Sequence, residues 1–340
     1  MTGPGPAVAA VRVAVRRDLG QLSGGRGATR PGLPDDGTVL VACSGGADSL
    51  ALLSATVFET RRSRLRVVGV TVDHGLQEAS AAHATHVVEQ MASLGVDETA
   101  TVRVTVDPGP RGVEAGAREA RYAALGQLAD HFGAGAVLLG HTLDDQAETV
   151  LLGLTRGSGG RSIAGMRRWF RRDDVLFTRP LLGLTRGDTE SACRAEGIGW
   201  WEDPHNSDPR FVRARIRHTV LPVLERELGP GVAAALARTA EAVRADVDEL
   251  DDLADTWLRD HRGRLATTEL EVLGDALRLR VLREAAVEAG SPASELSRQH
   301  VLAVDKLVAG YRGQRWIDLP GPVRAVREGT VLRFEPGARG

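Results

Sequence analysis

Residues 38–49 read TVLVACSGGADS, an apolar β-rich run, a two-glycine turn, and the start of a helix. Thr38–Cys43 shows no polar alternation, which is the pattern of a strand covered on both faces. Strand, tight turn and helix in immediate succession make the first step of a βαβ unit. Working outward, the same alternation repeats. Leu65–Val72, Glu98–Val106 and Ala136–Gly140 read as strands, while Ala79–Leu94, Val113–Phe132 and Leu143–Leu154 read as helices. Strands alternating with helices of this length predict an α/β fold, a Rossmann-like parallel sheet with helices on both faces.

Beyond Thr155 the pattern loosens into Gly/Arg-rich loop and short elements up to Pro222. After Gly231 the composition shifts to Ala, Leu, Asp, Glu and Arg at helical spacing. This predicts two domains, 1–222 and 223–340, the second a smaller, mainly helical lobe with strand-like runs around Leu319, suggesting a terminal hairpin. A length of 340 residues suits two such parts. No apolar run reaches membrane-spanning length, and Pro6–Val15, broken by Arg12, reads as an amphipathic first helix rather than a signal peptide. A cytoplasmic location with no membrane partner is the expectation.

The net charge is −2, but residues 156–217 hold 13 arginines against 8 acidic residues, a surplus of five. Such a stretch suits phosphate contacts or a solvated basic face. The two cysteines, Cys43 and Cys193, are far apart and form no CxxC pair, which removes a zinc module and a disulfide framework. The chain's single lysine is Lys306. A Walker A loop and a covalent nucleotidyl-lysine ligase each need a lysine near their glycines, so neither fits.

Three groups carry candidate chemistry. In Ser44-Gly45-Gly46-Ala47-Asp48-Ser49 the glycines allow close backbone approach, and hydroxyls with helix-start amides make an anion site. Asp48 inside an anion site is explained by a bridging Mg²⁺. The same residues also suit a plain glycine turn with an Asp/Ser cap. In His141–Thr149, Asp144, Asp145 and Glu148 cluster at helical spacing beside His141, at the strand end where open sheets bind ligands. They suit a metal, a cationic amine, or simple capping of a helix N-terminus. The third group is Glu202–Asn206 with Arg210, Arg213, Arg215 and Arg217, whose positive side is continuous in either helix or strand. Gly157–Gly160 lacks dinucleotide-loop spacing, and His83 and His86 read as satisfied surface residues.

Taken in this order, the groups resemble the tRNA(Ile)-lysidine synthases of the PP-loop, or N-type ATP pyrophosphatase, superfamily. SGGADS matches its SGGxDS signature; His141–Thr149 is similar to HxxDDxxET, Leu154–Met166 to LxRGxGxxGLxGM, and Asp203–Arg217 to the DPxN block with trailing arginines. The chain departs from these patterns at Ser162-Ile163-Ala164, His205 and Ala214. The resemblance implies an adenine nucleotide alpha hydrolase-like fold. It further implies an ATP-dependent ligase that adenylates the wobble cytidine of a CAU anticodon and then attaches L-lysine, giving lysidine and changing codon reading from AUG to AUA.

By the same carry-over, Ser44, Gly45, Gly46, Ala47, Asp48 and Ser49 hold the nucleotide, with Mg²⁺ at Asp48 and His74 near the adenosine. Asp145 and Glu148 hold the lysine ammonium, His141 lines that pocket, and Arg118, Asn206 and Arg217 position nucleotide or base. The partner would be tRNA(Ile) with a CAU anticodon, bound partly by residues 223–340; a homodimer is compatible with the sequence. The rivals are a thiolase-like PP-loop tRNA-modifying enzyme, which needs sulfur-carrying cysteines, and a non-catalytic tRNA-binding module.

Overall fold

The structure is a computed structural model that describes residues 3–22, 33–34, 36–73, 75, 80–107, 112–157, 159–203 and 207–337. They pack into two compact units, Met1–Thr149 with Met166–Ala237, and Val150–Gly165 with Arg238–Gly340.

In the first unit, helix α1 (Pro6–Leu22) precedes β1 (Thr38–Ala42), α2 (Ala47–Thr60), β2 (Arg66–Asp73), α3 (Ser80–Ser93), β3 (Glu98–Arg103), α4 (Val113–Phe132), β4 (Ala134–Leu139) and α5 (Leu143–Arg156). After α6 (Gly160–Ile163) come β5 (Trp169–Arg172), β6 (Val175–Thr178) and α7 (Arg186–Glu196). Helix α8 (Val212–Arg215) runs through a π-helical turn, Ile216–Val220, into α9 (Leu221–Leu228).

The sheet order is β3-β2-β1-β4-β6-β5, parallel except for the β5 edge. Successive residues of β1 enter different cores: Val39 and Val41 pack with α1, α2 and α7, whereas Leu40 packs with Tyr122 and Leu125 of α4. That two-sided burial is why the strand carries no polar alternation. The chain goes from β1 outward to β2 and β3, then returns to place β4 on the other side of β1. The ends of β1 and β4 therefore flank the point where the strand order reverses, the usual ligand crevice of an open parallel sheet. The short β5–β6 pair, which the periodicity does not reveal, extends the sheet beyond β4.

The second unit contains α10 (Val232–Asp260) from Arg238 onward, β7 (Leu265–Ala266), α11 (Thr267–Glu271), α12 (Asp275–Glu288), α13 (Arg298–Asp305), β8 (Trp316–Leu319), β9 (Val323–Glu328) and β10 (Val331–Pro336). The hairpin expected near Leu319 is part of a four-stranded antiparallel sheet, β7-β10-β9-β8, so this lobe carries a sheet as well as helices. Its own core joins Leu258, Leu282, Leu307, Ala325 and Leu332. Segment Val150–Gly165 packs here: Gly160 lies against Val243 and Val247, and Arg161 pairs with Asp251 at 2.6 Å and Glu284 at 2.7 Å. No helix among the described residues is long and apolar enough to cross a membrane.

Candidate functional site

The turn after β1 is held by its own small side chains. Ser49 Oγ accepts from the Ser44 amide at 3.1 Å and donates to the Gly46 carbonyl at 2.9 Å. Gly45 has φ +80°, and a Cβ there would sit 2.7 Å from Val87 Cγ2, so only glycine fits. The Gly45 carbonyl accepts from the Trp201 amide at 3.0 Å; His83 stacks on Trp201 at 3.9 Å between ring centres and bonds the Ser44 carbonyl at 3.1 Å. His83 thus braces the turn. Helix α2 has no side-chain cap, which leaves its first amides for a ligand.

The turn after β4 packs directly against this one. A Cβ on Gly140 would meet the Asp48 carbonyl and Ser49 Cα at 3.1 Å. Asp145 caps α5, accepting from the Thr142 amide at 2.9 Å. Its other oxygen takes Arg186 at 3.1 Å and Arg217 at 3.2 Å. Arg186 also reaches Asp48 at 3.3 Å, and its amide donates to Asp144 at 2.8 Å. The Thr189 hydroxyl donates to the remaining oxygen of Asp48. Glu148 has no solvent-exposed surface; Arg217 forks onto it at 2.6 and 3.1 Å, and Arg213 stands 3.6 Å away.

Asp48, Asp145, Glu148 and Arg217 are therefore brought together at the sheet's switch point. Burial raises the Asp48 carboxyl despite Arg186. Asp145 goes the other way: burial acts upward, but Arg186 and His141 hold it below the usual range.

His141 Nδ1 accepts from Arg179 Nε at 3.3 Å. Burial, reinforced by Arg179, pushes its pKa far down, so the ring is neutral and its Nε2 carries the hydrogen. Arg118 lies a little apart, donating to the Tyr122 hydroxyl at 3.2 Å. His74 and Asn206 lie outside the described residues.

Beside the carboxylates is a cleft of about 200 Å³ lined by Asp144, Glu148, Arg217, Leu221, Pro222, Glu225 and Ala233. Glu225 is spent on the amides of Gly231 at 2.6 Å and Ala233 at 2.9 Å. Arg213 and Arg217 reach one carboxylate because the backbone there is helical, widened by the π turn.

The sequence reading missed Arg186, Thr189 and Arg179. The capping box Thr185–Asp188 announces the helix that carries Arg186, but only the tertiary fold aims its first residue at Asp48. Both thiols are buried; burial pushes Cys193 up to about 12 and raises Cys43, so neither is a ready thiolate.

The family model described as PP-loop domain matches residues 20–224, and the one described as TilS substrate binding domain matches residues 265–330. Proteins named tRNA(Ile)-lysidine synthase are similar over nearly their whole length. That of Streptomyces coelicolor is 48% identical, over 98% of this chain and 100% of its own. That of Thermobifida fusca is 50% identical, over 98% of this chain and 99% of its own. Among solved structures, the U34-tRNA thiolase NcsA of Methanococcus maripaludis, with its 4Fe–4S cluster, superposes with a TM-score of 0.57 at 17% identity. That match covers 70% of this chain and 80% of the thiolase, a likeness of fold alone.

Proposed function

The chain belongs to the tRNA(Ile)-lysidine synthase family, and from that premise we propose that it uses ATP to join L-lysine to the wobble cytidine of a CAU anticodon in tRNA(Ile). The observation that carries this reading is the meeting of two turns at one switch point. A phosphate-type turn with Asp48 stands against a carboxylate pair, Asp145 and Glu148, suited to an amine.

The first half-reaction joins the cytidine 2-oxygen to the α-phosphorus and releases pyrophosphate, which the amides at the start of α2 receive. In the second, the lysine amine attacks the 2-carbon. A C–N bond forms, the C–O bond breaks, the oxygen leaves on AMP, and the amine gives up its proton. The phosphate ester makes an otherwise poor leaving group a good one. Asp145 and Glu148 would attract the ammonium, and the acid-lined cleft beside them suits its approach. Their oxygens are already shared by Arg186, Arg213 and Arg217, so binding exchanges a guanidinium contact for an ammonium contact. The neutral His141 presents a donor to the bound base. Arg118, Asn206 and His74 keep the nucleotide- and base-positioning roles that the family pattern assigns.

Mg²⁺ fits at Asp48. No group of three or more His, Cys, Asp or Glu gathers to hold a metal among the described residues. Magnesium commonly takes one carboxylate, waters and substrate phosphates rather than an all-protein cage. Bound there, it would neutralise charge on the phosphates. Residues 1–222 would form the ATP-binding catalytic part and 223–340 the tRNA-binding part. The setting would be cytoplasmic, and a homodimer is compatible with it.

The test is incubation with labelled lysine, ATP and mixed tRNA, followed by nucleoside analysis. Lysine-bearing cytidine is the expected product. A sulfur-modified base, or no product, would overturn the assignment; the buried cysteines speak against sulfur transfer.

A further inference from the structure

The arginines at the switch point each have a carboxylate partner, but a second set does not. Arg118 and Arg179 both donate to the Tyr122 hydroxyl, at 3.2 and 3.3 Å, and Arg121 lies 5.6 Å from the Tyr122 ring centre. Arg179 is buried, bonded further to His141 and to the Arg167 carbonyl. Arg121 is half-buried, and its Nε is shut off from solvent with no hydrogen-bond partner. Among the described residues none of the three makes a salt bridge to a carboxylate. Burying like charges together without a counter-ion is unfavourable, so such a cluster is built for an anion that comes from outside.

We infer that Arg121 and Arg179, beside Arg118, receive a phosphodiester of the tRNA strand, separate from the nucleotide phosphates at the turn after β1. The source is indicated by what adjoins the cluster. Edge strand β5 and its approach expose Arg167, Trp169 and Arg171, while Arg172 reaches the Tyr122 ring at 5.7 Å. A run of arginines with an exposed aromatic suits a flexible polyanion with bases to stack, more than a single small nucleotide. The phenol reports the same field. Burial acts to raise the Tyr122 hydroxyl, yet Arg118, Arg179 and Arg121 together hold it below its ordinary value. This inference rests on the reading of tRNA as substrate, but binding can be measured without turnover.

The experiment uses the full chain and a labelled CAU anticodon stem-loop, following binding across a salt series. Replacing Arg121→Gln should weaken RNA binding several-fold and lower the log–log salt slope by about 0.7, as for one lost phosphate contact on a single strand. ATP affinity should stay within about twofold. A second readout guards against a merely unstable variant. The chain has two tyrosines, so ring-labelled tyrosine NMR, assigned with Tyr122→Phe, follows Tyr122 alone. Adding the stem-loop to the unaltered protein should raise the Tyr122 titration midpoint, while AMP or pyrophosphate should leave it in place. An unchanged salt slope in the Arg121 variant overturns the inference. So does a Tyr122 shift produced by AMP alone, which would give the cluster to the nucleotide. Absence of lysidine in the product assay would defeat the functional reading and leave this binding result standing.

Discussion

Arg217 clasps Glu148 side-on, Nε to Oε1 at 2.6 Å and Nη2 to Oε2 at 3.1 Å, and that carboxylate has no exposure to solvent. Two-point geometry on a dry carboxylate is a pair whose members cannot be removed singly without cost.

Arg217→Met should therefore cost about 3 kcal/mol of unfolding free energy, because among the described residues it leaves Glu148 with only the more distant Arg213. Arg217→Lys should recover part of it, lacking the fork. Urea titrations of the three proteins measure the series. A Met variant as stable as the parent would show that the pair contributes nothing.

Glu148→Gln should weaken apparent lysine affinity by about tenfold or more, the scale of one lost charged contact, with ATP binding little changed. Isothermal titration with each ligand separates the two. Weakened ATP with unaltered lysine would move this carboxylate to the nucleotide side.

Asp48→Asn keeps the shape of the turn and removes the charge that Mg²⁺ would need. Conversion of ATP to AMP in the presence of tRNA should fall by ~10²–10³. Nucleotide binding should also lose its dependence on magnesium, read by titrating ATP with and without the metal. A variant that retains that dependence places the metal elsewhere.

Gly45→Ala adds a methyl 2.7 Å from Val87 in a φ +80° conformation. Strain and overpacking together should cost about 2–4 kcal/mol and displace the anion-binding amides. Paired thermal melts and ATP titrations check both effects; a variant matching the parent in each would contradict the geometry.

His141 is held neutral by burial and by Arg179, its pKa far below the usual 6.5. Below about 6.5 the unfolded chain takes a proton that the fold refuses, so this residue subtracts up to ~1.4 kcal/mol of stability per pH unit as acidity rises. His141→Gln cannot take that proton. The melting temperature of the parent, relative to the variant, should fall between pH 7.5 and 5.5. A constant difference would mean that the ring is protonated in the fold.

Much of the fold is local and therefore legible in the chain itself. The unbroken apolar run at Thr38–Ala42, the glycine pair, and the carboxylates opening α5 each announce their elements through short-range periodicity and turn chemistry. The lone lysine, Lys306, by itself excludes a Walker loop. Tertiary structure alone decided what stands opposite what. Arg186 follows Asp145 by 41 positions and Arg217 follows it by 72, yet both guanidiniums meet its carboxylate. No periodicity reaches across such distances. The same holds for Arg179 beside His141, for the β5–β6 pair, and for Val150–Gly165 packing with the C-terminal core rather than the sheet it follows. Sequence determines which residues can form a strand, a cap or an ion pair. The strand order and the burial of both sheet faces determine which of those partners meet, because desolvation makes each buried charge depend on neighbours brought from elsewhere in the chain.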